Sequence, residues 1–335
     1  MGRRKTGVVW VRALERSAKA MARQATRAVA PMVERSLSKQ AGRRLPPPGD
    51  GDWLAGVALG AGGARRYRLY RPPDVRPGER LPLLVMLHGC GQDPKAFAQG
   101  TRMNRLAGRE RFLVLYPEQD RLANAQGCWN WFDTRSGRAY AEADVVMRTV
   151  EQVCMLYPVD RERVAVAGLS AGASMAALLV TRYPGRFKAV VMHSGIPPGT
   201  AHSALTAVGA MHGHRSAALA LAPAGRLPAW PPLLVIHGSE DRVVSVNNGY
   251  SAVQAWAGAL GARARAARTL QRGARYPATI TDYRIRGSTV ATLVVVESLG
   301  HAWSGGAARE AHTDAKGPDA SRMLWGFVAR QFERA

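Results

Sequence analysis

Ser170 lies inside Gly168-Leu169-Ser170-Ala171-Gly172, between the apolar run Val164–Ala167 and the helix-like segment 173–180. A strand, a Gly-x-Ser-x-Gly turn and a helix make a nucleophile elbow. The turn is too sharp for bulky neighbours, and it pushes the serine hydroxyl out beside a helix N-terminus. A hydroxyl is a weak nucleophile until a base takes its proton. The chemistry open to such a serine is acyl transfer. That requires a base, an acid to orient the base, and N–H donors for the oxyanion.

In this arrangement the chain order is serine, acid, histidine. The apolar run Leu233–Ile236 leads into His237-Gly238-Ser239-Glu240-Asp241, which makes Asp241 the best acid and Glu240 the second choice. Leu293–Glu297 leads into Ser298-Leu299-Gly300-His301, which makes His301 the best base. The Ala171 amide supplies one oxyanion donor. The second is expected from Leu87-His88-Gly89-Cys90-Gly91-Gln92, at the Cys90 amide with Gly91 as the alternative. His88 and His237 each precede a glycine at a strand end, where an imidazole more naturally satisfies loop backbone. His193 comes too early in the order. His212 and His214 lack accompanying cysteine or acidic ligands, so no metal is expected, nor any organic cofactor. Each motif is weak alone; four in one order, all at strand ends, are specific together.

These residues need a scaffold that delivers them to one edge. Strands are expected at Arg66–Arg71, Leu83–His88, Phe112–Tyr116, Val164–Gly168, Ala189–His193, Leu233–His237 and Leu293–Glu297, with a further one at Ile280–Ile285. Helices are expected near 94–108, 140–157, 171–183, 248–260 and 318–333. The alternation predicts an α/β fold, a mostly parallel central sheet with helices on both faces. The earliest strand, with alternating Tyr67 and Leu69, reads as antiparallel. Cys154 falls on an apolar helical face with Val146, Val150 and Val153 and reads as core. Residues 197–231 carry five prolines and no clean strand, as an insertion or lid would.

The chain has 335 residues and a formal net charge of +23. Residues 1–45 alone hold twelve Lys or Arg against Glu15 and Glu34. Within 8–30, Val11, Leu14, Ala18, Met21, Ala25 and Ala28 recur at three- and four-residue steps beside Arg12, Arg16, Lys19, Arg23 and Arg27. Such a basic amphipathic helix suits an anionic or apolar surface, or packs on the domain as a plain helix. The expected organisation is a basic tail at 1–41, a Pro/Gly linker at 42–52 and a catalytic domain at 53–335. No dense basic run with interleaved aromatics follows, so no specific nucleic-acid partner is expected. Three cysteines are too few for a disulfide-built scaffold.

LHGCGQ (87–92), GCWNWF (127–132), GLSAG (168–172), HGSEDRVV (237–244) and GHAWSGG (300–306) together resemble the polyhydroxybutyrate depolymerase family of esterases. Feruloyl and acetylxylan esterases of carbohydrate esterase family 1 are its relatives. The resemblance implies an α/β-hydrolase fold and a Ser170–Asp241–His301 triad. It implies a disulfide between Cys90 and Cys128, against two free thiols. It also implies that Trp129, Trp131 and Trp303 flank the cleft and touch acyl or aryl groups, against ordinary core packing. The implied substrates are short hydroxyalkanoate esters or oligomers, with feruloyl or acetylxylan esters as the alternative. The rival of another class is a non-catalytic protein that binds a surface or granule through its basic helix. The family is mostly extracellular, whereas Val8–Val11 is shorter than the apolar core of a signal peptide, which leaves the cytoplasm open.

Overall fold

The central strands divide their side chains strictly by parity. In β3 (Leu81–Leu87), Leu83, Val85 and Leu87 join one buried cluster while Leu84 and Met86 join another. The same alternation holds in β5 (Val159–Leu169), β6 (Ala189–His193) and β7 (Leu233–Gly238). Successive side chains of a strand point to opposite faces, so runs this apolar must be covered on both sides. Each fully buried Leu or Val contributes about 1.5–3 kcal/mol over its exposed state.

The computed structural model describes residues 47–334, apart from 61–62, 216 and 218–229. The basic helix expected at 8–30, the tail at 1–41 and the first half of the 42–52 linker lie outside these residues. So does much of the 197–231 insertion.

The remaining strands are β1 (Asp52–Gly60), β2 (Gly63–Arg71), β4 (Leu113–Pro117), β8 (Arg263–Ala264), β9 (Arg268–Leu270), β10 (Ala278–Ile285) and β11 (Ser288–Val296), with a short separate pair, β12 (Trp303–Ser304) and β13 (Thr313–Asp314). The main sheet runs β1-β2-β4-β3-β5-β6-β7-β11-β10-β8, with β9 also on β10. Its middle, from β4 to β11, is parallel, and both ends are antiparallel.

One face is covered by α3 (Arg138–Leu156), α4 (Ala171–Arg182) and α6 (Asn247–Leu260). The other is covered by α1 (Pro94–Thr101), α2 (Met103–Glu110) and α7 (Ala320–Phe332). The helices expected on both faces are therefore present, and β2 is antiparallel as its pattern implied. The expected helix at 94–108 is two helices, because Arg102 takes a left-handed conformation (φ 54°) between them. Its guanidinium reaches the carbonyls of Gly305 and Gly306, beyond the base candidate. The elements not expected were β1, the short strands β8, β9, β12 and β13, and α5 (Ala204–Met211) within the insertion, which a Ser203/Thr206 capping box opens. Cys154 is a buried free thiol, as its helical face implied.

One close approach sets the geometry at the top of the sheet. A Cβ on Gly172 would sit 2.1 Å from the Leu87 carbonyl oxygen, and one on Gly168 would sit 2.3 Å from the Gly172 carbonyl carbon. Helix α4 can meet the end of β3 only without side chains there. Gly172→Ala should therefore lower the stability of the protein by at least the roughly 1–3 kcal/mol typical of overpacking. Urea denaturation measures it, and an unchanged midpoint would contradict this account.

Candidate active site

The four loops that hold the candidate residues all leave the carboxyl ends of parallel strands, where α/β sheets open a crevice. Ser170 follows β5, the loop 88–92 follows β3, Asp241 follows β7 and His301 follows β11.

Ser170 has φ 56° and ψ −122°, a strained backbone for a residue with a side chain. Its amide donates to the His193 carbonyl at 2.9 Å, which fixes the turn. It directly precedes α4, so the positive end of the helix dipole lies at its hydroxyl.

The loops bearing Asp241 and His301 are tied together. Ser239 N donates to Val296 O at 2.9 Å, Glu240 N donates to Leu299 O at 3.0 Å, and Ser298 N donates to Ser239 Oγ at 3.0 Å. A Cβ on Gly238 would stand 2.1 Å from the Leu299 carbonyl, so this approach also requires glycine. Within it, His301 Nδ1 lies 2.7 Å from Asp241 Oδ2 and His301 Nε2 lies 2.9 Å from Ser170 Oγ. With Nδ1–H facing a carboxylate, Nε2 is left to accept the serine proton. Asp241 Oδ1 accepts the amides of Val243 (3.0 Å) and Val244 (2.8 Å). Burial opposes the charge on Asp241, but donors from His237, His301 and Val244 outweigh it and hold its pKa well below the usual carboxylate range. Glu240 is exposed and does not contact His301.

The other three strand-end histidines, His88, His193 and His237, are buried in the scaffold. His88 Nε2 accepts the Gln119 amide at 3.1 Å, so its Nδ1–H donates to Gly89 O at 2.9 Å. His193 Nε2 accepts the Ser304 amide at 3.1 Å, which turns Nδ1–H toward Ser194 Oγ at 3.2 Å. Burial lowers the His88 pKa to about 4 and that of His193 to about 3, so both are neutral at pH 7. His237 Nε2 donates to Val244 O at 2.9 Å and stands 3.5 Å from Asp241 Oδ2.

In the loop after β3, Gly91 N donates to Gln126 O at 2.9 Å, Gln92 N to Gly89 O at 3.3 Å, and Gly89 N to Gln92 Oε1 at 3.0 Å. The Cys90 amide has no such acceptor among the described residues. Ala171 is the first residue of α4, so its N–H has no intrahelical acceptor. Cys90 and Cys128 are joined by a disulfide, which straps the loop to the segment before Trp129.

The tryptophans need correction as cleft residues. Trp129 is fully buried and donates Nε1–H to the His88 carbonyl at 3.0 Å. Trp303 is fully buried, donates to Ser321 Oγ at 3.1 Å and stacks on His193 at 4.9 Å. Trp131 is 8% exposed and packs edge-on against Phe132. A buried indole N–H needs an internal acceptor, and the acceptors of Trp129 and Trp303 lie in the scaffold, at the His88 carbonyl and Ser321 Oγ. His212 and His214 have rings 5.8 Å apart, and no group of three metal-ligating side chains occurs among the described residues. Sequence reasoning missed Glu142, Gln119 and Asn130, buried polar residues behind the disulfide; the available signal was Glu142 in helical register with the apolar Ala139 and Val146.

The sheet and this arrangement of loops are those of an α/β-hydrolase. Ferulic acid esterase shares the fold at TM-score 0.55 and 18% identity, over 85% of this chain and all of that one. An acetyl xylan esterase from Aspergillus awamori does so at TM-score 0.57 and 21% identity, over 75% of this chain and 94% of that one. Residues 65–269 match the family described as Esterase PHB depolymerase, and the chain belongs to that family. Poly(3-hydroxyalkanoate) depolymerase C of Paucimonas lemoignei is 31% identical over 183 residues, 50% of this chain and 42% of that protein. A probable acetylxylan esterase A of Aspergillus fumigatus is 26% identical over 243 residues, 65% of this chain and 62% of that protein. The match thus spans about two fifths to three fifths of these relatives.

The buried imidazoles set a pH dependence. In the unfolded chain His88 and His193 take protons near pH 6.5, whereas folded they do so only near 4 and 3. Between these values the unfolded state binds more protons, so stability is full above about pH 6.5 and is lost as pH falls. Denaturation midpoints at pH 7 and pH 5 should show a loss on the order of 2 kcal/mol for each histidine. Equal stability at both would exclude neutral buried rings.

Proposed function

We propose that this protein is a serine ester hydrolase of short hydroxyalkanoate esters or oligomers. The observation that carries this reading is the hydrogen-bonded line Ser170 Oγ–His301–Asp241, 2.9 and 2.7 Å long, at a strained elbow. His301 takes the Ser170 proton as Oγ attacks the ester carbonyl. Asp241 holds the tautomer and stabilises the imidazolium. The Ala171 and Cys90 amides receive the oxyanion. His301 then protonates the leaving alcohol, and water cleaves the acyl-enzyme by the reverse sequence.

The family and the depolymerase relative support the hydroxyalkanoate substrate. The acetylxylan esterase relatives keep a short acetyl ester as the second reading. The inward tryptophans weigh against feruloyl esters, since those rings offer no open face to an aryl group. Exposed apolar side chains include Leu205 (85%) and Val208 (54%) on α5, between β6 and β7.

Ser170→Ala should abolish turnover of p-nitrophenyl butyrate, and Asp241→Asn should lower kcat by about 10⁴. A Ser170→Ala protein with full activity would refute the mechanism. Rates compared on hydroxybutyrate dimers, acetylated xylan and methyl ferulate should rank the dimers first. A faster rate on acetylated xylan would transfer the assignment to the second reading.

A further inference from the structure

Four buried polar side chains lie behind the oxyanion loop and take no part in the triad. Glu142, on α3, accepts Gln119 Nε2–H at 2.7 Å and Asn130 Nδ2–H at 2.6 Å on Oε1, and the Asn130 amide at 2.8 Å on Oε2. Gln119 Oε1 accepts from Arg65, which also donates to Glu118 O at 3.0 Å and lies over the Trp129 ring at 5.5 Å. All three hydrogen-bond partners of the Glu142 carboxyl among the described residues are donors, which suits an acceptor-only carboxylate. A buried charge is tolerated when it is paired and hydrogen-bonded. Here the opposite charge reaches it through one amide, and the two charges dictate which way that amide points.

The segment held by Glu142 is the one that holds the oxyanion loop. The Gln119 amide fixes the His88 ring, and Gln119 Nε2 also bonds the Cys128 carbonyl at 2.9 Å. Trp129, next to Asn130, bonds the His88 carbonyl. Cys128 is joined to Cys90. Three links to residues 88–90 therefore start from residues 119, 128 and 129, while residues 119 and 130 both hang on one carboxylate. α3 is itself fixed to the nucleophile helix, since Asp144 accepts from Arg182 Nε at 2.5 Å and from the Tyr183 hydroxyl at 2.6 Å.

We infer that Glu142 is a positioning residue for the oxyanion hole, acting through Gln119, Asn130 and the Cys128 strap to aim the Cys90 amide. It touches neither the ester nor the triad. The inference rests on the ester-hydrolase reading above.

Glu142→Gln keeps the shape but turns one acceptor into a donor facing other donors. Outright loss of an oxyanion donor costs about 10²–10³ in kcat; a displaced donor should cost about tenfold or more. The variant and the wild type are titrated to completion with a p-nitrophenyl phosphonate, and kcat is expressed per titrated serine. The expected result is kcat down about tenfold or more, KM for p-nitrophenyl butyrate within about twofold, and an alkyl trifluoromethyl ketone bound more weakly by a factor similar to the loss in kcat. That inhibitor forms a hemiketal oxyanion on the same donors, so a merely structural role would not move its affinity. A variant that loses only melting temperature or titratable fraction, with wild-type kcat per site, would overturn the inference. Should Glu142→Gln fail to fold, Asn130→Ala is judged by the same criteria, with a smaller loss in the same direction expected. If the wild type is neither titrated nor active on any ester, the hydrolase reading fails and this one with it. An active wild type beside an unaffected variant rejects this one alone.

Discussion

The contact between Gly172 and the Leu87 carbonyl governs the upper edge of the sheet. With any side chain at 172, α4 would have to retreat from the end of β3. The Ala171 amide and the loop 88–92 would then part, and no single oxygen could lie between their donors. The approach also forces Ser170 into its strained conformation, which costs on the order of 1–3 kcal/mol. Local bonds offset this: the Ser170 amide is held by His193, and residues 171–180 of α4 are buried throughout. A rigid core over-determines the turn, which is what such strain requires in order to persist.

Four histidines stand at or just beyond the carboxyl ends of strands, yet only one faces the serine. Residue type does not separate them; the state of their ring nitrogens does. His88 and His193 each spend one nitrogen on a backbone amide and the other on a carbonyl or hydroxyl. Burial then keeps both neutral. His237 is wholly buried and bonded to Val244. His301 alone has a nitrogen left for Ser170, because its other nitrogen meets Oδ2 of a carboxylate whose Oδ1 is held by two amides. The neutral rings are structural members, and their residues carry the backbone groups that shape the elbow and the loop 88–92.

Much of this was legible in the sequence, for identifiable reasons. Buried parallel strands are short apolar runs, and the strand-end glycines and histidines mark where loops begin. The Ser, Asp, His order followed from those positions. What escaped notice depends on long-range contact. β1 is an edge strand of small and mixed residues, and Gly56 leaves room for the Tyr67 ring only in the paired sheet. The break at Arg102 reflects a guanidinium reaching carbonyls two hundred residues away. The tryptophans were misplaced because an indole beside a catalytic loop can face either the ligand or the scaffold, and only the location of an acceptor decides. Residues 8–30, where the surface-binding rival was placed, lie outside the described structure.

Helix α3 connects these observations. It carries Asp144 toward α4 and Glu142 toward the loop that bears Cys90, two residues apart in one helix. Ser170 and the Cys90 amide, the proposed nucleophile and second oxyanion donor, follow different strands, β5 and β3, and neighbouring strands alone fix their separation only to within the play of their loops. An element bonded to both removes that play. Oxyanion stabilisation demands donors already in place before charge develops, so this brace must be stiff rather than adaptable. Charge-assisted bonds in a dry interior meet that demand better than apolar packing, which tolerates small slides. The proposed role of Glu142 thus gives a reason for a carboxylate and a guanidinium to be buried behind the loop that bears Cys90.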